Sequence, residues 1–297
     1  MSLIVFGSQK GSPGATLTAL AVAAAWPTTP GRRKLFLEAD PDGGVIAVRY
    51  RLGREPGLLS LAAAGRHGIN RGDLWSHTQE IPGGLPVVVA PDRPDQATAA
   101  LTTSGATLGP WLQSLPDVDV IADVGRFSPS SPAQTFAAAA DLVVMVARPN
   151  AEQIQPGAER LKALQMRTPN VGWCLIGSKP YSAEEIEAVH GIQVLGSIAD
   201  DPRGANALET GASPVRVRRS ALVRSAATFA ASLAQWLHPE PDDRIASTEP
   251  ESPGVAVDDA LAFQQPPSPP ASPSAEPGSD VDGTDGHQVS ILGEAAS

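Results

Sequence analysis

Leu3-Ile4-Val5-Phe6-Gly7-Ser8-Gln9-Lys10-Gly11-Ser12-Pro13-Gly14-Ala15-Thr16 stands near the start of the chain, and an alanine-rich stretch from Thr16 to Trp26 follows it directly. An apolar run, a glycine-bearing turn and a helical pattern in immediate succession read as strand, loop and helix. Glycines in such a loop let backbone N–H groups turn inward around phosphate oxygens, and the N-terminus of the following helix adds partial positive charge. A hydroxyl at Thr16 stands where a phosphate-binding loop places a ligand for magnesium. An ordinary strand-to-helix turn also favours Gly, Pro and Ser, so the reading needs support from the rest of the chain. Arginine outnumbers lysine 18 to 4, so composition alone does little to account for Lys10 inside the loop.

Support comes from two later apolar runs that each end in a carboxylate. Leu35-Phe36-Leu37-Glu38-Ala39-Asp40-Pro41 is the first, and Val118-Asp119-Val120-Ile121-Ala122-Asp123-Val124-Gly125 is the second. The second has the Walker B arrangement, an apolar strand ending in Asp. In open parallel sheets ligands bind at the carboxyl ends of strands, so loops after three strands can converge on one crevice. Taken alone, Asp40 beside Pro41 reads equally as a turn cap.

Further apolar runs, at Pro86 to Ala90, Leu142 to Ala147, Val171 to Ile176 and Ile192 to Leu195, read as buried strands. Stretches such as Ala151 to Met166, Ser182 to His190 and Leu222 to Leu237 read as helices. Near-continuous apolar strands joined by helices predict an α/β domain, with a mostly parallel sheet covered by helices on both faces. Of 22 basic and 32 acidic side chains, one and 12 lie from Pro239 onward, leaving 21 and 20 before it. The net charge of -10 therefore belongs to the tail. Ten prolines among residues 239–297, with little apolar surface to bury, predict a disordered tail after a single domain at 1–238. Val289-Ser290-Ile291-Leu292 reads as a docking motif or as a chance apolar patch on that tail. The lone Cys174 rules out an intramolecular disulfide and fits a reducing cytoplasm. The longest apolar run, Ala19 to Trp26, is far short of the ~20 residues of a membrane helix, and no signal peptide is expected.

These motifs together resemble the ParA/MinD family of P-loop ATPases, whose deviant Walker A motif reads K-G-G-x-G-K-T-T; here it stands as Lys10-Gly11-Ser12-Pro13-Gly14-Ala15-Thr16-Leu17. Glu38-Ala39-Asp40-Pro41 is similar to the family's D-x-D-P, and Asp123-Val124-Gly125 to its Walker B and second switch. Ala140-Asp141-Leu142-Val143 stands before a strand as in the family, and Leu195-Gly196-Ser197-Ile198-Ala199-Asp200-Asp201-Pro202-Arg203 looks like its loop near the adenine. Within the superfamily the chain is most similar to actinobacterial MinD-like proteins and to the CpaE/TadZ branch associated with pilus assembly.

The resemblance implies a single P-loop NTPase domain that binds ATP and Mg²⁺ and forms a nucleotide-dependent homodimer. Its output would be the positioning of a cargo, with a protein partner from chromosome or plasmid partitioning, septum placement or pilus and secretion machinery. Position by position, it implies that Lys10 reaches across the dimer to the partner's nucleotide. Gly11, Ser12, Gly14, Ala15, Thr16 and Leu17 would line the phosphates, with Thr16 and Asp123 at the Mg²⁺. Asp40 would orient the attacking water and stand near the metal, Gly125 would act as the hinge of the second switch, and Pro202 and Arg203 would lie near the base. Arg126 reads as a phosphate sensor or as an exposed structural arginine.

The chain departs from the family at several positions: Leu17 replaces the second threonine, Val171 to Ile176 runs into Gly177-Ser178-Lys179-Pro180-Tyr181 where related strands often end in Asn, and Ala15 is the departure with the largest consequence. Ala15 occupies the place of the lysine that contacts the β- and γ-phosphates, and loss of a comparable preorganised donor costs on the order of 10²–10³ in rate. ATP hydrolysis is therefore expected to be slow. The alternative reading is a catalytically degenerate scaffold or localisation factor that acts by protein–protein interaction. Arg216, Arg218, Arg219 and Arg224 form a basic cluster for DNA phosphates or, as favoured beside an acidic tail, a solvated or ion-paired helix face. The acidic, proline-rich tail disfavours direct membrane attachment, and the five histidines, His67, His77, His190, His238 and His287, lack metal-ligand spacing.

Overall fold

The computed structural model describes residues 2–10, 14–66, 68–211 and 214–239. The expected tail beyond Pro239, with its Val289 to Leu292 patch, His67 and His287 fall outside them, as do Gly11 and Ser12 of the loop. In chain order the elements are β1 (Ser2–Ser8), α1 (Ala15–Ala25), β2 (Arg33–Glu38), α2 (Ile46–Tyr50), α3 (Leu58–Gly65) and a 3-10 helix (Arg71–His77). They continue with β3 (Gln79–Ile81), β4 (Leu85–Val88), α4 (Pro94–Gln113), β5 (Val118–Arg126), α5 (Gln134–Ala139), β6 (Leu142–Ala147) and α6 (Ala151–Gln165). The last are β7 (Val171–Ile176), α7 (Ala183–His190), β8 (Val194–Ile198), α8 (Pro202–Glu209), α9 (Pro214–Arg219) and α10 (Ala221–Leu237).

The eight strands form one sheet in the order β3-β4-β2-β5-β1-β6-β7-β8. All pairs are parallel except the β3–β4 hairpin at one edge. β1, β6 and β7 are buried along their whole lengths, which is why they read as unbroken apolar runs. One face of the sheet packs on α3 to α7 through Leu58, Leu108, Phe136, Leu161 and Ile186. The other packs on α1, α2, α8 and α10 through Leu20, Ile46, Leu208, Leu222 and Phe229. This is the expected α/β architecture.

The departures have local causes. β8 starts at Val194 rather than Ile192, because Ile192 buries its side chain in the turn before the strand. As a half-exposed edge strand containing Gly196 and Ser197, β8 carries a weak apolar signal. β3 is only three residues long, too short to show alternation. α4 is rich in Ala, Thr and Gly and holds Pro110, so its propensity is poor. Packing makes it a helix: Gly105 and Gly109 let it approach α5, where an added Cβ would lie 2.6 Å from Thr135 Oγ1 and 3.1 Å from the Thr135 carbonyl.

At the amino end of the sheet, buried Asp119 ties four segments together. It accepts hydrogen bonds from Ser2 Oγ (2.8 Å), Trp26 Nε1 (3.1 Å) and the Arg32 guanidinium, and His238 Nε2 lies 3.0 Å away. The starts of β1 and β2 and the ends of α1 and α10 thus meet at one carboxylate.

Candidate functional site

At the carboxyl end, β1 leads into the glycine loop between β5 and β6, where the chain's strand order turns in both directions. Gly7 admits no side chain, since a Cβ would meet the Phe127 ring at 2.8 Å. Gly14 adopts a left-handed conformation (φ 94°), and α1 begins after it with no side-chain cap. By contrast Asn150, Ser182, Asp201 and Ser220 each cap the helix that they precede. The first-turn N–H groups of α1 are thereby left for another acceptor. Lys10 is exposed and enters no ion pair among the described residues. Ala15 is buried on the α1 side of the sheet, and Thr16 and Leu17 are half-buried.

Beside the loop, Glu38 and Asp123 end up as neighbours in register on β2 and β5. Asp123 is fully buried; its Oδ1 accepts from the Gly125 N–H at 3.0 Å, while Oδ2 has no hydrogen-bond partner among the described residues. Burial pushes its carboxyl up to about 6, against the lowering effects of the Thr16 hydroxyl and the Gly125 N–H. The Thr16 hydroxyl therefore faces this carboxylate without satisfying Oδ2. Asp40 follows β2 and lies directly against Gly125: a Cβ there would come within 2.2 Å of the Asp40 carboxyl carbon. With φ at +64°, Gly125 is a position where a side chain is excluded both by space and by backbone conformation. Burial also raises the Asp40 carboxyl, partly offset by the Asp42 N–H on Oδ1 (2.8 Å). Arg126 pairs with Asp42 on the exposed rim and so links the loops that follow β2 and β5.

Glu38 has a structural task that the sequence reading missed. Its Oε1 accepts from the N–H groups of Val45 (2.6 Å) and Ile46 (3.1 Å), and its Oε2 from Ala90 (3.0 Å). It thereby folds the loop after β2 back over the strand ends. Burial pushes Glu38 up to about 7 despite those three bonds, with Asp123 adding to the rise. The signal was available in the sequence, as a charged residue at the end of an apolar strand.

Both folded-state values lie above the unfolded ones, so each carboxyl contributes stability that is full below about pH 4. That contribution is lost as pH rises through about 6 for Asp123 and about 7 for Glu38. Metal-free protein should accordingly melt at a higher temperature near about pH 5.5 than near about pH 8, measured by circular dichroism with EDTA present.

A cavity of about 290 Å³ adjoins the loop, lined among others by Gly14, Leu17, Arg148, Ile176, Pro202 and Asn206. Across its rim Arg148 makes a two-pronged ion pair with Asp200, at 2.6 and 3.1 Å. Asp201 caps two helices: its Oδ1 accepts from Gly204 N–H (2.9 Å), and its Oδ2 from Ala221 (2.9 Å) and Leu222 (3.3 Å). Pro202 thus joins the loop side, whereas Arg203 lines a separate cavity of about 790 Å³ between α8 and α9, with Arg216 and Arg219. Arg216, Arg218, Arg219 and Arg224 are exposed and form no ion pairs among the described residues. No group of three His, Cys, Asp or Glu placed to hold a metal occurs among the described residues, and no helix there is long and apolar enough to cross a membrane.

Comparison with solved structures bears on the fold. A ParA family ATPase from Chlorobium tepidum superposes with a TM-score of 0.66 at 19% identity, over 78% of this chain and 98% of that one. The septum site-determining protein MinD from Pyrococcus horikoshii, complexed with Mg-ADP, gives 0.63 at 15%, over 80% and 98%. The MinC:MinD cell division protein complex of Aquifex aeolicus gives 0.57 at 17%, over 81% and 98%. No protein-family model and no curated protein matches the chain. The fold is that of an α/β P-loop NTPase. It is the fold shared with the ParA and MinD structures compared.

Proposed function

We propose that this chain is an ATP-binding switch of the ParA/MinD type. The observation that carries the reading is the convergence of a glycine loop, Asp40 and Asp123 at the ends of adjacent parallel strands, with a buried Asp123 oxygen that lacks a partner among the described residues. An orphaned buried carboxylate oxygen facing a threonine hydroxyl fits a hard cation, which takes oxygen ligands and keeps several waters. The Mg-ADP in the P. horikoshii neighbour is consistent with that fit.

In this reading Gly11, Ser12, Gly14, Ala15, Thr16 and Leu17 hold the phosphates of ATP, and Pro202 and Arg203 lie toward the base. Thr16 and Asp123 hold Mg²⁺, which when bound would neutralise charge on the phosphates. Asp40 orients a water, and its contact with Gly125 makes the two loops move together. Lys10, exposed and without an ion pair among the described residues, acts across a homodimer in this reading. We assign nucleotide binding to residues 1–238, place the protein in the cytoplasm, and infer a cargo from the partitioning, septum or pilus and secretion machines, hydrolysis being slow. Ala15 favours a second reading, a scaffold of the same fold that performs no hydrolysis.

Light scattering on the full chain tests the switch. Mg-ATP should convert monomer to dimer, and Lys10→Ala should abolish the conversion while leaving the melting temperature unchanged. A native chain that stays monomeric with saturating Mg-ATP, indistinguishable from Lys10→Ala, would overturn it.

A further inference from the structure

Ala15 leaves a position of the loop without a charge, and a cation from another element, Arg49, pairs with a residue that lines the cavity beside that loop. α2 is anchored at its start, where Glu38 binds the N–H groups of Val45 and Ile46, and Ile46 is buried in the apolar cluster that includes Ala15. One turn on, the Tyr50 hydroxyl donates to the Leu208 carbonyl at 2.7 Å, and Arg49 Nη2 pairs with Glu209 Oε1 at 2.9 Å. Glu209 borders the cavity that Gly14, Leu17 and Thr18 line. The other terminal nitrogen, Arg49 Nη1, is buried and has no hydrogen-bond partner among the described residues. A buried guanidinium N–H left unmatched is costly, so an acceptor belongs there in the working state. The Arg49 charge also reaches Asp123, whose carboxyl it holds lower than burial alone would set it.

We propose that Arg49 supplies from α2 the fixed positive charge that Ala15 does not, with Nη1 donating to a terminal phosphate oxygen of a bound nucleoside triphosphate. Arginine suits the task, being always charged and matched in shape to phosphate oxygens. The inference rests on the ATP-switch reading and specifies its phosphate contacts. It also accounts for a loop of this kind persisting with alanine at that position.

Calorimetry on the full chain with Mg-ATP, Mg-ADP and AMP tests it, using native protein, Arg49→Ala, Arg49→Ala with Ala15→Lys, and Glu209→Gln. A charged hydrogen bond of ordinary strength predicts that Arg49→Ala weakens Mg-ATP roughly 10- to 100-fold. Mg-ADP should lose less and AMP least. A lysine at position 15 should restore most of the lost affinity. Glu209→Gln keeps the guanidinium and should bind Mg-ATP more tightly than Arg49→Ala does. Equal losses for all three nucleotides, no rescue by Ala15→Lys, or a matching loss in Glu209→Gln would each overturn the proposal and make Arg49 a brace for α2. Native protein that binds while Arg49→Ala binds equally well would refute this inference alone. Native protein and the chain carrying Arg49→Ala with Ala15→Lys both failing to bind Mg-ATP would refute the switch reading and this inference with it. Melting temperatures without ligand show that each variant is folded.

Discussion

Asp119→Ala should lower the melting temperature by roughly 10 °C, the largest stability effect expected of any single side chain in this fold. Asp119 is 4% exposed and receives hydrogen bonds from Ser2, Trp26 and Arg32, with His238 also in contact. Removing it leaves the Arg32 guanidinium and the Trp26 N–H without their acceptor. Breaking a buried pair from one side typically costs about 3–5 kcal/mol. Burial by itself would raise the Asp119 carboxyl, but hydrogen bonds from Arg32, Ser2 and Trp26 hold it below its ordinary value. Its stabilisation is therefore present above the unfolded value of about 3.9 and lost as pH falls through the folded one. The native chain should show an acid limb below about pH 4 that the variant largely lacks. Thermal melts across pH measure both effects, and a variant melting within a degree or two of native protein would place the network among dispensable surface contacts.

Asp123→Asn should weaken Mg-ATP binding by about two orders of magnitude or more, the loss of a cation-held phosphate contact, while leaving metal-free nucleotide binding nearly unchanged. The same variant should be more stable than native protein in EDTA near about pH 8, by on the order of 2 kcal/mol, because a carboxyl pushed up to about 6 is ionised there at a cost. Tighter folding with weaker ligand binding from one substitution marks a residue kept for binding rather than for stability. Calorimetry with and without Mg²⁺, paired with melts in EDTA, checks both halves. Unaltered Mg-ATP affinity in Asp123→Asn would remove this carboxylate from the proposed metal site.

The central strands were legible because burial on both faces leaves unbroken apolar runs; Leu142 to Ala147 and Val171 to Ile176 are strands over those same residues. Edge elements were not: β3 is too short for a pattern and β8 half-exposed. α4 was hidden by its small residues, whose role is to let it lie close to α5. For the candidate site, Thr16, Asp40, Asp123 and Gly125 come together and Pro202 lines the cavity beside Gly14 and Leu17, whereas Arg203 belongs to the neighbouring groove. Glu38 and Arg49 escaped notice because their roles depend on where a folded-back loop carries them, and no spacing in the sequence states that. His238 has no metal-ligand spacing, yet it contacts Asp119 across 119 positions of chain.

The double cap at Asp201 makes one carboxylate the joint between two rods. α8, which carries the rim of the small cavity, and the long α10 both donate first-turn N–H groups to it. α8 therefore cannot tilt without loading α10, whose far end meets the Asp119 network through His238. A strain applied at the carboxyl end of the sheet has a stiff helical path to its amino end, beside Pro239, where the acidic part of the chain begins.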